Sequence, residues 1–439
     1  MRHASIRTLV RRLWSPVFIA YGISGGVAVA SFLSTLILAR LAGAAVIGEY
    51  ALAVSTATLL TSFTFLGLDR ILVREVAGDL REGNAAAARA NFFLILKITL
   101  FTTLLTSILY AMLIAWTPFA EMVGGTRRVL ILVALYMPAI VLTKIGYSGL
   151  RAAGHPILGQ MFESTKTYLF MAGVAILFLI GYVPDARMAV GLAVAAQLLS
   201  TIGSWLFLRS RMRRWPKNGT AAMPRTLLIA GMPLMGSLFL QLFSDWFILA
   251  RISAYAGAAD TGAFRVSVQI ITIISIVVAT TESYIAAYFA GDFRARRPDL
   301  AWKRHNRSTL LMLLMTGPAF VLIFAIPGLL LDTAFGAEFA VAATALVIMA
   351  VGQLFNVLRG PLGSLLAMSG HQNGLFMLTM GGLVLSVACA WLLIPLYGLL
   401  GAAIAQASAI VFRSVAGYAY ARWIIPSRRP APDSSGNST

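Results

Sequence analysis

Positively charged side chains inside apolar stretches are the residues of this sequence that most clearly indicate a binding site. Arg359 and Arg413 lie in such stretches, and Arg359 stands directly before Gly360 and Pro361, where a helix should loosen. At the centre of a bilayer an ionisable group costs about 2.5–3.5 kcal/mol, so it needs a partner, water or a function. Because a guanidinium binds phosphate oxygens bidentately, both positions predict an anion site. The alternatives are an internal ion pair or carbonyl contacts for Arg359, and for Arg413 a side chain that reaches the membrane surface.

Three further arginines stand near the ends of apolar runs. Arg40 and Arg251 each end a Leu-Ala-Arg tripeptide, and Arg265 lies near the start of another run. Together with Arg359 and Arg413, they predict a positive surface that attracts an anionic group. Anchoring of these side chains at the membrane interface is the competing interpretation.

Two acidic residues, Asp245 and Glu282, also lie inside apolar runs. One interpretation is that they bind H⁺ or Na⁺ as a coupling ion. The other is that each forms a salt bridge with a nearby arginine. The sequence alone does not assign those partners, so both interpretations stay open.

No pattern typical of a catalytic or metal site accompanies these charges. His155 and His371 each follow a glycine in a turn, and two isolated histidines do not make a metal site. The single cysteine, Cys389, excludes a disulfide within the chain and a cysteine-based metal site. We therefore predict no catalytic residue, no metal and no cofactor.

The composition identifies the solvent in which these residues must be placed. Of the 439 residues, 59% are hydrophobic and only 12% are charged, and the apolar runs are too long for the core of a soluble protein. The net charge of +19 is carried by short loops rather than by a soluble domain. Topology and contact with anionic lipid headgroups explain this charge better than nucleic-acid binding does.

Apolar runs of membrane-crossing length predict an all-α integral membrane protein with about twelve transmembrane helices. The first six spans are predicted at 17–42, 46–67, 92–116, 129–149, 165–183 and 187–208. The second six are predicted at 227–250, 263–289, 308–331, 341–368, 375–395 and 399–421. The segment from Leu68 alternates apolar and charged residues at helical spacing, which predicts a helix along the inner membrane surface.

Alternating these spans from a cytoplasmic N-terminus puts most of the 35 Lys and Arg residues on one side, which supports the orientation. Both termini are then cytoplasmic. The predicted organisation is a basic N-terminus at 1–16, a six-helix bundle at 17–208, a basic linker at 209–226, a second bundle at 227–421 and a disordered tail at 422–439.

The two predicted bundles are related by an internal repeat with a period of about 210 residues. The matching segments are Leu38–Arg40 with Leu249–Arg251, Gly48–Ala51 with Gly262–Arg265, Gly154-His155 with Gly370-His371, and 191–197 with 401–406. Because each half has six spans, both halves insert with the same orientation, as a parallel repeat around an axis along the membrane normal. That arrangement is typical of transporters.

The same segments resemble a known family. Residues 36–43, 47–53 and 67–75 resemble the opening of polysaccharide biosynthesis membrane proteins, and residues 395–403 resemble their last loop and span. These proteins are O-antigen and exopolysaccharide flippases of the multidrug/oligosaccharidyl-lipid/polysaccharide (MOP) exporter superfamily. The resemblance implies a MATE-like fold with a V-shaped central cleft, lined mainly by spans one, two, seven and eight.

The resemblance also implies a substrate and partners. The substrate is an undecaprenyl-diphosphate-linked oligosaccharide, translocated across the inner membrane by alternating access for lipopolysaccharide or exopolysaccharide biosynthesis. Its partners are membrane lipids and, as a further expectation, a polysaccharide polymerase and glycosyltransferases. Lipid II flippases of the group have more spans, which argues against a peptidoglycan role.

Three other functions compete with this one. A MATE-like drug/cation antiporter predicts a cleft dominated by acids, whereas this sequence has more buried cations than anions. A membrane enzyme, such as a polysaccharide polymerase, ligase or glycosyltransferase, predicts a large outer loop or a soluble domain with clustered acids. A membrane scaffold would leave the buried arginines unexplained.

Overall fold

The computed structural model describes residues 16–213, 215–221 and 223–425, and within these ranges the chain forms helices and no strand. The predicted basic N-terminus lies almost entirely outside the described residues, as does the tail from residue 426 onward. The first half contains α1 (Pro16–Phe65), α2 (Leu68–Arg81), α3 (Ala85–Trp116), α4 (Phe119–Met122), α5 (Arg127–Leu130), α6 (Leu132–Ala152), α7 (Pro156–Leu179) and α8 (Ala186–Met212). The rest contains α9 (Pro224–Arg294), α10 (Pro298–Ala325), α11 (Pro327–Phe335), a 3₁₀ helix (Ala337–Ala342), α12 (Ala343–Leu358), α13 (Leu362–Met368), α14 (Gln372–Tyr397) and α15 (Leu399–Ile424).

Two glycine kinks reconcile these helices with the predicted span count. Ten helical segments of the described chain are long and apolar enough to cross a membrane, and two of them lie in α1 and α9. A straight helix as long as α1 would measure roughly 75 Å, more than twice the hydrocarbon thickness. Each of these helices is interrupted by one non-helical residue, Gly43 (φ 79°, ψ 178°) in α1 and Gly257 (φ 89°, ψ 177°) in α9. Divided at the kinks, α1 and α9 supply two spans each, which gives the twelve predicted.

The kinks also confirm the predicted repeat. Gly48 and Gly262 each lie five residues after their kink, and Ala44 and Ala258 each lie one residue after it. A Cβ atom on Gly48 would collide with the carbonyl oxygen of Ala258, and one on Gly262 would collide with that of Ala44. Corresponding segments therefore make the same backbone contact in both directions, as expected for elements related by a two-fold axis.

Helix starts fix the offset of the repeat further along the chain. The first residues of α3 and α10, Ala85 and Pro298, are 213 positions apart, and so are those of α8 and α15, Ala186 and Leu399. This offset identifies corresponding residues of the two halves in the paragraphs below.

Three predicted spans differ from the observed helices because prolines set their boundaries. The span predicted at 165–183 begins at Pro156, in the first helical turn, where its missing N–H costs nothing. The span predicted at 308–331 ends at Ala325, since Ile326 is non-helical and Pro327 starts α11. The span predicted at 341–368 is two helices, α12 and α13, separated at Gly360 and Pro361 as the sequence indicated.

The described chain divides into two compact units, Met1–Gly262 and Ala263–Thr439. In the first unit, α2 buries Leu68, Ile71, Leu72 and Val76 in a cluster with residues of α3, α6 and α8, which confirms its helical form. In the second unit the corresponding core is built around Phe289, Trp302, Leu362, Leu365 and Leu366. The division of the chain at the linker 209–226 stays a prediction.

Helix α3 shows how these helices suit a lipid environment. Phe101, Leu105 and Leu109 recur every fourth residue on an exposed face, which is an apolar face for lipid. Thr99 and Thr103 are fully buried on the opposite face, where their hydroxyls donate to the carbonyls of Ile95 and Thr99 at 2.8 and 2.6 Å. Because each hydroxyl is hydrogen-bonded within its own helix, small polar side chains of this kind allow neighbouring helices to pack closely.

Candidate functional site

The helix break between α12 and α13 positions Arg359, one of the two arginines that the sequence places inside apolar stretches. Arg359 is the last residue before Gly360, whose φ of 67° is accessible to glycine at little cost, and before Pro361, which cannot continue the helical hydrogen bonds. The side chain of Arg359 is 18% exposed. The break therefore holds a guanidinium inside the second unit.

Arg359 and Glu282 belong to one cluster. The Arg359 Nη2 atom lies 3.7 Å from the Glu282 Oε1 atom, and the Arg359 Nε–H donates to the Asn356 side-chain oxygen at 2.7 Å. Glu282 also accepts a bond from the Gly363 N–H at 3.3 Å, and the Ser364 hydroxyl donates to the Glu282 backbone carbonyl at 2.9 Å. The start of α13 thus holds the acid in place, and the acid neutralises the arginine.

This pairing joins two sequence predictions that were made separately. Arg359 was predicted as a cation for an anionic group, with internal ion pairing as the alternative, and Glu282 as a coupling acid or the partner of an arginine. The geometry brings both residues together, so any anion that binds Arg359 competes with Glu282.

His305 is a member of this neighbourhood that sequence reasoning missed. It is only 1% exposed, and a Cβ atom on Gly360 would lie 2.9 Å from its Cε1 atom, so its ring packs against the helix break. Its ring also contacts those of Trp302 and Tyr418. No local pattern around His305 marks it, because its neighbours come from distant helices.

Arg413 and Lys144, two further cations within predicted spans, have local partners. The Arg413 Nε–H donates to the Ala409 carbonyl at 3.3 Å, one turn back along α15, and the side chain packs on Gly382. The Lys144 ammonium lies 3.9 Å from the Asp69 carboxylate and 4.7 Å from the centre of the Phe65 ring. Lys144 is therefore paired with α2.

The arginines predicted near span ends differ in exposure and register. Arg40 and Arg265 are exposed, whereas the Arg251 guanidinium lies over the Tyr255 ring, 4.2 Å from its centre. Arg40 lies three residues before the kink of α1, but Arg251 lies six residues before Gly257 in α9. Measured from the kinks, Arg251 is about one helical turn further from its kink than Arg40.

Asp245, the remaining acid, is exposed on α9. Its carboxylate oxygens are 3.4 Å from the Gln241 side-chain nitrogen, which donates to them. Phe239 and Phe243, one turn apart on α9, have ring centres separated by 5.9 Å, and the Phe239 ring meets that of Phe63 edge-on at 4.4 Å. Gln241 and Asp245 are each two residues from Phe243, so the polar pair and the aromatic row lie on different faces of α9. The four-residue spacing of Phe239 and Phe243 is visible in the sequence, where both lie within the predicted span 227–250.

A metal site finds no support in the part of the chain that the structure describes, where no three His, Cys, Asp or Glu side chains are grouped to hold an ion. The charges of the second unit are organised as ion pairs and hydrogen bonds.

Solved structures share this fold. The structure aligns with the lipid II flippase MurJ in an inward closed conformation over 92% of this chain and 87% of that one, with a TM-score of 0.74 and 12% identity. An inward-facing multidrug resistance MATE family transporter of the MOP superfamily gives 0.67 and 14%, covering 91% and 94% of the two chains. A MOP superfamily transporter from Pyrococcus furiosus gives 0.56 and 15%, covering 93% and 94%. The protein is thus a multi-pass membrane protein with the fold of MOP superfamily transporters.

A family match narrows this class. The profile of the polysaccharide biosynthesis protein family matches residues 13–285, more than half of the chain. The chain therefore belongs to the polysaccharide biosynthesis protein family. No curated protein matches the sequence. Family and fold are those of membrane transporters, so the prediction of a transporter rather than a membrane enzyme is confirmed.

Proposed function

We propose that this protein is a flippase that moves an undecaprenyl-diphosphate-linked oligosaccharide, an O-antigen or exopolysaccharide repeat unit, across the bacterial inner membrane by alternating access. The observation that carries the proposal is the match to the polysaccharide biosynthesis family in a chain whose fold is that of MOP transporters. The proposed orientation has both termini in the cytoplasm. The proposed partners are glycosyltransferases, which act before this step, and a polysaccharide polymerase, which acts after it.

Arg359 is the proposed contact for the diphosphate. Its guanidinium is held at a helix break with one ion-pair partner at 3.7 Å, longer than a normal hydrogen bond. A diphosphate oxygen at the usual charge-assisted distance of about 2.8 Å would compete well with that carboxylate. Arg40, Arg251, Arg265 and Arg413 are proposed to add positive potential along the path of the headgroup.

The Arg359–Glu282 pair also suggests how transport is coupled to an ion. A diphosphate that takes Arg359 from Glu282 leaves a carboxylate without its cation inside the membrane protein, which is costly. Binding of H⁺ or Na⁺ to Glu282 would remove that cost, so the lipid headgroup and the small cation bind together. Asp245 is a second proposed coupling acid.

The oligosaccharide needs a different kind of surface. We assign it to the aromatic row of α9 formed by Phe239 and Phe243. The flat rings suit the C–H faces of sugars.

Reconstitution tests the proposal. Proteoliposomes are loaded with a fluorescent undecaprenyl-diphosphate oligosaccharide, and exchange between leaflets is scored by quenching from outside. We expect exchange by the wild type and a loss of about tenfold or more in Arg359→Ala, because a charge-assisted contact of about 1.5–3 kcal/mol is removed. The matched control is Arg74→Ala, which breaks the exposed Arg74–Glu75 pair at 2.7 Å and should leave exchange unchanged.

A second experiment isolates the coupling step. Glu282→Gln keeps the size of the side chain but removes its charge, so it should exchange lipid while no longer responding to an imposed H⁺ or Na⁺ gradient. Glu75→Gln is the control. A wild type that flips no lipid-linked glycan but expels an organic cation would contradict the proposal in favour of a MATE-like antiporter.

A further inference from the structure

A cavity of about 660 Å³ lies between the start of α3 and the end of α8 in the first unit, and its lining shares no residue with the Arg359 cluster. Its lining includes four cations and no carboxylate: Arg89, Arg209, Arg213 and Lys217. Four like charges around one cavity repel each other, so they are best satisfied by an anion between them.

The wall of this cavity is apolar on the side of the membrane. Ile202 and Leu206 line it, and their side chains are 56% and 65% exposed on the surface of α8. The rings of Phe93 and Trp205 complete the wall. The cavity thus joins a lipid-facing apolar surface to a group of cations. A phospholipid has the matching arrangement, because its apolar acyl chains adjoin a charged headgroup.

One of the cations is fixed in place. The Arg89 Nη1 atom donates to the carbonyl oxygens of Met212 at 2.9 Å and Trp215 at 3.1 Å, and its guanidinium lies 5.5 Å from the centre of the Phe93 ring. These bonds tie α3 to the end of α8 and to the chain that follows. The cavity is therefore built around an arginine whose position is set before any ligand arrives.

The corresponding place in the second half is built differently. At the 213-residue offset, Trp302 replaces Arg89, and its indole N–H donates to the Ile425 carbonyl at 3.2 Å, just as Arg89 donates to Met212. Arg422, the counterpart of Arg209, lies over the Trp302 ring at 4.9 Å. In the second half an aromatic ring satisfies the cation, so a cavity ringed by cations is not a requirement of the repeat.

We propose that the cavity of the first half binds the phosphate of an anionic phospholipid from the surrounding bilayer. The phosphate lies among Arg89, Arg209 and Lys217, and the acyl chains run along Ile202 and Leu206 of α8. This site shares no residue with the proposed substrate contacts and does not depend on the proposed function. The diphosphate of a transported lipid offers the same chemistry, and the experiment must distinguish the two.

Native mass spectrometry of the full chain in detergent measures the binding. Phosphatidylglycerol is the anionic probe, and phosphatidylcholine is the zwitterionic control. Each Lys or Arg near an anionic headgroup contributes about fivefold in affinity, so Arg209→Gln combined with Lys217→Gln should weaken phosphatidylglycerol binding about 25-fold. The matched control, Arg422→Gln with Lys303→Gln, removes the same charge from the second half and should change binding less than twofold.

A second variant copies the design of the second half. Arg89→Trp keeps an N–H that can donate to the Met212 carbonyl while it removes a cation and fills space. We expect this variant to elute from size-exclusion chromatography as a folded protein. In native mass spectrometry it should no longer prefer phosphatidylglycerol over phosphatidylcholine.

Three outcomes would overturn the proposal. The first is equal retention of both phospholipids by the wild type. The second is unchanged phosphatidylglycerol binding by the Arg209→Gln/Lys217→Gln variant. The third is displacement of phosphatidylglycerol by an equal amount of undecaprenyl phosphate, which would assign the cavity to the transported lipid. Persistence of phosphatidylglycerol in that competition supports the bilayer lipid.

Discussion

The ends of α8 and α15 are tied to the rest of their halves in the same way but with different side chains. In the first half Arg89 donates to the Met212 carbonyl, and in the second Trp302 donates to the Ile425 carbonyl. Met212 is the last residue of α8 and Ile425 directly follows the last residue of α15, so both carbonyls lie where helical partners run out. The repeat thus preserves a donor at this place, while the rest of the side chain is free to differ.

The side-chain pairs Asn91–Asp79 and Arg304–Asp292 also occupy corresponding positions and differ in charge. In the first half the Asn91 amide donates to the Asp79 carboxylate at 2.8 Å, and at the corresponding positions Arg304 lies 3.0 Å from Asp292. An amide–carboxylate hydrogen bond and an ion pair therefore occupy corresponding places. The comparison teaches that each half keeps the contacts that close its helices and varies the charge around them.

The largest effect is expected from truncating the tie of the second half. Trp302 is 4% exposed and packs on His305 and Tyr418, so Trp302→Ala should lower the free energy of unfolding by about 3–5 kcal/mol. Arg89→Ala removes hydrogen bonds but little buried volume, and should cost about 1–2 kcal/mol. Thermal unfolding in detergent measures both, with Trp116→Ala, an exposed tryptophan, as the control. Equal losses in the two halves would contradict this difference.

An intermediate effect is expected where the halves are most alike. Gly48→Ala and Gly262→Ala each place a methyl group against a backbone carbonyl, which cannot move aside as a side chain can. Each should therefore cost about 1–3 kcal/mol, and the two losses should be similar. Gly78→Ala is the control, since a Cβ atom there would meet nothing within 4 Å. The readout is again thermal unfolding, and a neutral result at either glycine would show that the contact is not tight.

The smallest effect concerns the paired acids. Asp292→Asn should cost about 1 kcal/mol, and added salt should reduce this difference because it screens the ion pair with Arg304. Asp79→Asn alters a bond to a neutral amide, so its smaller cost should not vary with salt in the same way. Unfolding of each variant in low and high salt decides the matter, and a salt-independent loss at Asp292 would argue against an ion pair.

Much of this fold could be predicted because apolar length and breaking residues act locally. The interruption at Gly360 and Pro361 was predicted from the two residue types alone, and it is observed. The number of spans was also predicted, although α1 and α9 each contain two of them joined at a single glycine. The early start of α7 was missed, because Pro156 starts a helix before the apolar run begins.

The candidate site was less predictable, because its contacts join distant parts of the chain. Arg359 and Glu282 were both singled out, but their pairing depends on how α9 and α12 pack, which apolar patterns do not specify. The correspondence of Arg89 with Trp302 was invisible for another reason. The two side chains share only an N–H that reaches the same carbonyl, and no comparison of residue types detects that.

The kinks at Gly43 and Gly257 have a practical consequence for topology mapping. At each of these two joints the helix is interrupted at one residue and resumes at the next, so there is no loop for a protease to cut or for an antibody to recognise. An epitope inserted there would also separate Gly48 from the backbone it touches. Reporter tags belong instead in the turn 181–185, which connects α7 to α8. The Asp185 and Arg187 side chains at this turn are exposed.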